Sequence, residues 1–200
     1  MEESPDSIQH FRLTVKEWLT LIFAAAIQLC ALCPTVYAQN SPEAKPAGGN
    51  WFRVAIADQL TGAHSIHYVI HATNPAPDGG ITRDPTIQIG CTGNGKIIQA
   101  TYMTSTVVHA GPTTSVLGDL PQAVVSFRAD GGKIDVGLWN IAADYKSLYM
   151  DKKGIESVVW HDQVIIRFSA ISGYDVTDTF DTSGLNRDML EADCGKIKKH

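Results

Sequence analysis

Hydrophobic and polar side chains alternate with a period of two along most of the chain after residue 50, a pattern typical of half-buried β-strands. Turn-forming residues separate these runs, and the pattern predicts strands at 51–57, 64–73, 86–91, 96–104, 122–129, 133–141, 164–171 and 175–181. Hairpin signals stand at Asn94-Gly95 and at Asp130-Gly131-Gly132. The predicted fold class is therefore mainly β, an antiparallel β-sandwich or barrel-like domain with a C-terminal helix.

The hydrophobic period changes near the C-terminus. Three apolar residues recur there at the helical spacing i, i+4 and i+7: Leu185, Met189 and Ala192. Ser183 or Asp181 is a candidate N-cap for this helix, and Gly195 follows its end. A second short helix is predicted around 152–160. Four aromatic residues alternate with polar ones on the predicted strands, and we expect them in the core: Phe127, Trp139, Phe168 and Phe180.

The N-terminus has the pattern of a secretory signal peptide. Residues 18–33 are 16 residues without a charge, fewer than the roughly 20 that span a membrane. Pro34 follows, and Val36 and Ala38 occupy the −3 and −1 positions of a small-residue cleavage site. We expect residues 1–38 to be removed, which leaves no membrane span. The alternative is an uncleaved anchor.

The remaining chain divides into three parts by composition. Residues 39–50 are rich in Pro, Gly and Ala and predict a flexible leader, residues 51–195 form the β-rich domain, and residues 196–200 are a short basic tail. The whole chain carries a net charge of −5, and no basic stripe precedes that tail. A nucleic-acid partner is not expected, because it would need a concentrated positive face. The predicted location is periplasmic or secreted.

Two of the four cysteines, Cys91 and Cys194, lie beyond the predicted signal peptide. An even pair in an oxidising compartment predicts a disulfide, and two buried free thiols are the alternative. A bridge would close a loop of roughly 100 residues, which in the chain-entropy model stabilises the fold by about 4–5 kcal/mol.

The segment "HSIHYVIH" holds three histidines: His64, His67 and His71. Its Ile and Val content favours a strand, in which His67 and His71 share one face about 13 Å apart at roughly 3.3 Å per residue. Zinc ligand nitrogens lie within about 2.1 Å of the metal, so these two cannot share an ion without help from a neighbouring strand. No metal site and no cofactor are predicted.

Two short stretches resemble motifs of nucleotide binding and of proteolysis. "GCTGNGK" at 90–96 has phosphate-loop spacing, but Ile97 stands where Ser or Thr is needed and a strand follows in place of a helix, so a hairpin is predicted. "FDTSG" at 180–184 resembles the loop of aspartic proteases, but Ser183 interrupts it and that chemistry needs two aspartates. We expect a strand-to-helix turn there.

Two patterns that contain aspartate do not match a calcium site or a catalytic pair. Three aspartates at a spacing of three do not match a calcium loop and predict a solvated strand edge: Asp175, Asp178 and Asp181. His161 and Asp162 are sequence neighbours and would point to opposite faces of a strand, so a turn is the better interpretation. No catalytic group survives these tests, and the sequence predicts a protein that is not an enzyme.

Three stretches together resemble one known family: "TIQIGCTGNGK", "VVSFRADGGKIDVGLWNIAAD" and "FDTSGLNRDMLEADCG". Their order is similar to that of the VasI-type family of exported proteins associated with type VI secretion. The resemblance covers residues 51–195 and implies a bridge between Cys91 and Cys194. It implies no catalytic residues and points to a periplasmic accessory or binding domain.

The resulting expectation is an exported, non-enzymatic envelope accessory or binding domain whose partner is an envelope or secretion-system protein. The alternative is an envelope hydrolase or a metal-binding protein.

Overall fold

The computed structural model describes residues 43–58, 60–74, 84–92, 95–111 and 120–198. The predicted signal peptide, with Cys30 and Cys33, lies outside these residues, as do Asn94 and the last two residues of the basic tail.

The described residues form one mainly antiparallel β domain. Its strands are β1 (Ala44–Pro46), β2 (Phe52–Ala57), β3 (His64–His71), β4 (Thr86–Thr92), β5 (Ile97–Met103), β6 (Gln122–Ala129), β7 (Asp135–Ile141), β8 (Ser147–Tyr149), β9 (Gln163–Ser169) and β10 (Asp175–Asp181). Two short helices, α1 (Lys152–Trp160) and α2 (Arg187–Cys194), complete it. The mainly β class with a C-terminal helix is confirmed.

All ten strands belong to one sheet in the order β1-β2-β3-β4-β5-β8-β7-β6-β9-β10. Every paired neighbour runs antiparallel, and the sheet does not close into a barrel, because β1 and β10 are its edges. The segment after β3 covers part of the β10 edge. There the Thr73 backbone N–H donates to the Thr179 carbonyl at 2.8 Å, and the Asn74 side chain accepts from the Thr179 N–H at 2.6 Å. These bonds occupy edge groups that could otherwise pair with another chain.

Aromatic rings from β5, β6, β7, β9 and β10 pack against one another in the core. Tyr102 of β5 makes edge-to-face contacts with Trp139, Phe168 and Phe180 at ring-centroid distances of 6.4, 5.9 and 5.9 Å. Phe127 packs on Trp139 at 5.7 Å. All four aromatic residues that the sequence assigns to the core are buried, so that prediction is confirmed. Such pairs add about 0.5–1.5 kcal/mol each beyond the area they bury.

The leader prediction is wrong for its last residues. Residues 44–46, assigned to a flexible leader, form β1 and pair with β2, and Ala47 is buried. Gly48 and Gly49 have positive φ angles of 94° and 53°, and a Cβ at either position would lie 2.1 Å from a carbonyl oxygen of the 183–184 turn. This close backbone contact, which only glycine allows, joins the start of the domain to the turn before α2.

Both helices exist, but the capping prediction for the second is wrong. Asn186 caps α2 by accepting from the Met189 N–H at 3.0 Å, whereas Asp181 instead accepts from the Ser183 hydroxyl at 2.6 Å. The predicted stripe is also partly wrong, because α2 buries Leu190 and Cys194 and leaves Ala192 exposed. The short helix predicted around 152–160 is α1, which Asp151 caps through a 2.7 Å bond from the Gly154 N–H.

Candidate functional site

The predicted cysteine pair ties α2 to an interior strand. Cys91 on β4 and Cys194 at the end of α2 lie at disulfide distance, with Cα atoms 5.1 Å apart and a sequence separation of 103. Both are buried. The geometry fits the bridge that the sequence and the family resemblance predict.

Beside this pair, a hydrogen-bonded group joins β2, β3 and α2. Arg53 holds the Asp193 carboxylate with two nitrogens, at 2.6 and 3.2 Å, and the Tyr68 hydroxyl donates to the same carboxylate at 2.6 Å. The hydrogen bond from Arg53 lowers the pKa of Asp193, and burial raises the pKa of the Tyr68 hydroxyl. Sequence reasoning missed this group, because Asp193 lies 125 residues from Tyr68 and 140 residues from Arg53. Its role is structural, since both oxygens of the Asp193 carboxylate accept hydrogen bonds from within the group.

The histidine segment is strand β3, as predicted. Tyr68 and Ile70 point into the core, and His67 lies on the opposite face. No group of three or more His, Cys, Asp or Glu side chains suited to a metal ion occurs in the described part of the chain.

A row of neutral polar side chains surrounds His67 on that outer face. The Ser65 hydroxyl lies 2.9 Å from His67 Nε2, and the Gln88 amide contacts Nδ1. Burial lowers the pKa of His67, which favours the neutral ring. The order serine, histidine, amide resembles a nucleophile, its base and a group that orients the base. An oxyanion would need free N–H donors, however, and β3 and β4 are interior strands whose backbone groups serve the sheet.

The outer face of the paired strands β6 and β7, together with the residue just before β7, carries large apolar side chains. Four large aliphatic side chains there are between 53 and 64 % exposed: Val124, Ile134, Val136 and Leu138. Val124 faces Leu138 across the β6–β7 pair, so the side chains form a continuous surface. We call these four residues the aliphatic face. A contiguous apolar surface of this kind marks interaction sites in soluble proteins.

Two arginines border the aliphatic face. Arg128 on β6 faces Ile165, and Arg167 on β9 faces Ser126, so the two guanidinium groups occupy diagonal positions on adjacent strands. Both are exposed and line a depression of about 200 Å³ together with Ile134 and Ile165. The result is an apolar surface with positive charge along one side.

One aspartate predicted at a solvated strand edge is in fact fully buried. Asp178 shares the inner face of β10 with Val176 and Phe180, and the Tyr102 hydroxyl donates to its Oδ2 atom. Its Oδ1 atom has no hydrogen-bond partner in the parts of the chain described. Burial raises the pKa of Asp178 and that of Tyr102. The strand register overrides the charge here, and the raised pKa favours the neutral carboxyl, whose burial costs less than that of a carboxylate. Asp175 is exposed and Asp181 half-buried.

Two further predictions concern the 90–96 stretch, of which residues 93 and 94 lie outside the described residues, and the His161-Asp162 pair. The 90–96 stretch spans the end of β4 and leads into β5, an antiparallel neighbour, so the strand prediction is confirmed over a phosphate-binding helix. His161 ends α1 and contacts the Asp130 carboxylate at 2.8 Å in place of its neighbour Asp162.

These features define a class of protein. It is an antiparallel β domain with a single sheet, a C-terminal helix held near the sheet by a cysteine pair, and an exposed aliphatic face. No protein-family model matches the chain, and neither a curated protein nor a solved structure is significantly similar to it. Within the described residues, no helix combines the length and hydrophobicity needed to cross a lipid bilayer.

Proposed function

We propose that this protein is an exported, non-enzymatic accessory domain of the cell envelope that binds another protein through its aliphatic face. The observation that carries the proposal is the exposure of Val124, Ile134, Val136 and Leu138 on one continuous sheet surface. Interior strands present this surface, so a partner contacts side chains and does not add a strand to an edge.

The two arginines indicate which chemical groups a partner presents to this surface. Arg128 and Arg167 make no ion pair within the described residues, and a guanidinium binds carboxylates with two parallel hydrogen bonds. A fitting partner therefore presents apolar side chains flanked by Asp or Glu. The signal-peptide pattern and the resemblance to the VasI-type family support a partner in the envelope, within a type VI secretion apparatus.

Co-purification from the native envelope tests the proposal. The wild-type chain is expected to recover secretion-apparatus components, and Leu138→Asp is expected to lose them with a stability change within about 0.5 kcal/mol, as is usual for surface substitutions. Leu60→Asp is the matched control, because Leu60 is 95 % exposed and lies outside the aliphatic face. If the wild type recovers no such component, the secretion role fails, and if Leu138→Asp still recovers them, the binding surface is wrong.

An envelope hydrolase is the second candidate, favoured by the contact between Ser65 and His67. It ranks second because a serine nucleophile also needs oxyanion donors. A fluorophosphonate probe distinguishes the two functions. Labelling of the wild type that disappears in Ser65→Ala would favour the hydrolase, and an unlabelled wild type would exclude a serine mechanism.

A further inference from the structure

A groove beside the basic tail combines an apolar floor with a positive rim. Its floor consists of three isoleucines, each partly buried against the core: Ile97, Ile155 and Ile197. Its rim carries Lys152, Lys196 and Lys198, Glu156 also lines it with a side chain only 16 % exposed, and its volume is about 380 Å³. We call it the lysine groove.

Three separate elements build the lysine groove. Lys152, Ile155 and Glu156 lie on one side of α1, as their spacing of three and four residues requires. Ile97 opens β5. The tail after α2 completes the groove, with Ile197 half-buried between two exposed lysines, Lys196 and Lys198.

The position of the tail follows from the end of α2. Cys194 is held at disulfide distance from Cys91, and the next residue, Gly195, has a positive φ of 76°. A Cβ on Gly195 would lie 2.6 Å from the Gly95 carbonyl oxygen, so the tail crosses the β4–β5 turn at a distance that requires glycine. The cysteine pair and the close contact at Gly195 are two independent constraints on the position of the tail that contains Lys196, Ile197 and Lys198.

The charge of the groove selects its ligand. Three ammonium groups and one carboxylate surround the isoleucines, and Glu156 lies 3.6 Å from Lys152. The local charge is positive, although the chain as a whole carries −5. Neutral apolar molecules gain nothing from such a rim, and cationic amphiphiles are repelled by it.

We propose that the lysine groove binds a single-chain anionic amphiphile, such as a fatty acid anion. The hydrocarbon chain lies along Ile97, Ile155 and Ile197, and the carboxylate lies between Lys196 and Lys198. This site is separate from the aliphatic face, because it is built from α1, β5 and the tail and shares no residue with it.

Calorimetric titration of the full chain with dodecanoate tests the proposal. Lys196→Glu/Lys198→Glu is expected to weaken dodecanoate binding at least about tenfold, since two attractive surface charges become repulsive. Lys133→Glu/Lys146→Glu is the matched control, because it makes the same change of net charge at two exposed lysines outside the groove. Its affinity should equal that of the wild type.

Two further ligands test the charge of the head group and distinguish a free amphiphile from a lipid surface. Dodecyltrimethylammonium has the same chain with a cationic head and should not bind. Phosphatidylglycerol vesicles present the anionic head on a lipid surface, and binding to vesicles but not to dodecanoate would overturn a single-chain ligand. Equal weakening by both double variants, or unchanged binding in Lys196→Glu/Lys198→Glu, would also overturn the proposal, since the ligand would then bind elsewhere.

Discussion

Two tyrosine–aspartate pairs lie in different regions of the molecule, and their aspartates respond in opposite ways. At the helix α2, Asp193 accepts from Tyr68 and from Arg53, and its pKa is lowered. In the core, Asp178 accepts a side-chain hydrogen bond from Tyr102 and from no other described residue, and its pKa is raised. The tyrosine is common to both, so the cation and the degree of burial decide the direction in which the pKa of the carboxyl shifts.

The difference separates two kinds of stabilisation. The Asp193 group is a partly exposed ion pair that attaches α2 to the sheet, and the disulfide-distance pair acts at the next residue. Asp178 is a polar group inside the core, with one oxygen that has no partner among the described residues. Four substitutions, taken from the largest expected effect to the smallest, test whether the two regions depend on these different interactions.

Removal of the cysteine pair should have the largest effect. Cys91→Ala/Cys194→Ala is expected to lower the free energy of unfolding by about 2–5 kcal/mol, because the unfolded chain regains the freedom of a long loop. Urea unfolding followed by circular dichroism measures the change. The wild type in reducing agent should show the same loss, and an unchanged wild-type midpoint on reduction would contradict the bridge.

Removal of the Tyr102 hydroxyl, which donates to the buried Asp178, should have the second-largest effect on stability. Tyr102→Phe leaves both oxygens of Asp178 without a described partner and is expected to destabilise the fold by about 1–3 kcal/mol. Tyr68→Phe is the matched control, with a loss of about 1 kcal/mol or less, because Arg53 still binds Asp193. Equal losses in the two variants would show that the cation makes no difference.

Much of this comparison was visible in the sequence, though not all of it. Period-two alternation predicted the eight longer strands, and the positions of Cys91 and Cys194 beyond the expected signal peptide predicted their pairing. The same alternation placed Val176, Asp178 and Phe180 on one face, but the charge of Asp178 argued for solvent, and the register proved stronger. Burial raises the pKa of such a carboxyl, which favours its neutral form and lowers the cost of placing it in the core.

Other features carried no local signal. β1 is three residues long, and β8 is equally short, so neither shows a usable alternation. The Arg53–Asp193 pair joins residues 140 apart, which no local pattern reveals. The outward position of Val136 and Leu138 follows from their alternation with Trp139, but no local pattern shows that the other described residues leave these side chains uncovered.

Removal of the charge on Asp193 should have a moderate, pH-dependent effect. Asp193→Asn is expected to cost about 1–2 kcal/mol near pH 7, because Arg53 loses a charged acceptor. Since the folded pKa of Asp193 is lowered, its contribution is present above the unfolded pKa of about 3.9 and disappears as the pH falls through the folded value. Wild-type and variant stabilities should therefore converge in acid. A constant difference from pH 7 to pH 3 would contradict the ion pair as its cause.

The smallest effect, and the one of opposite sign with pH, should come from Asp178→Asn. Asparagine keeps an oxygen for the Tyr102 hydroxyl, so near pH 4 the stability should change by less than about 1 kcal/mol. The folded pKa of Asp178 is raised, so the stabilisation by its protonated form is fully present below about 3.9 and is lost as the pH rises through the folded value. The variant should become more stable than the wild type as the pH rises above about 4, whereas the difference between Asp193→Asn and the wild type changes only below about pH 4. Thermal unfolding from pH 2 to pH 8 measures both, and parallel curves for Asp178→Asn and the wild type above pH 4 would show that the buried carboxyl does not titrate with folding.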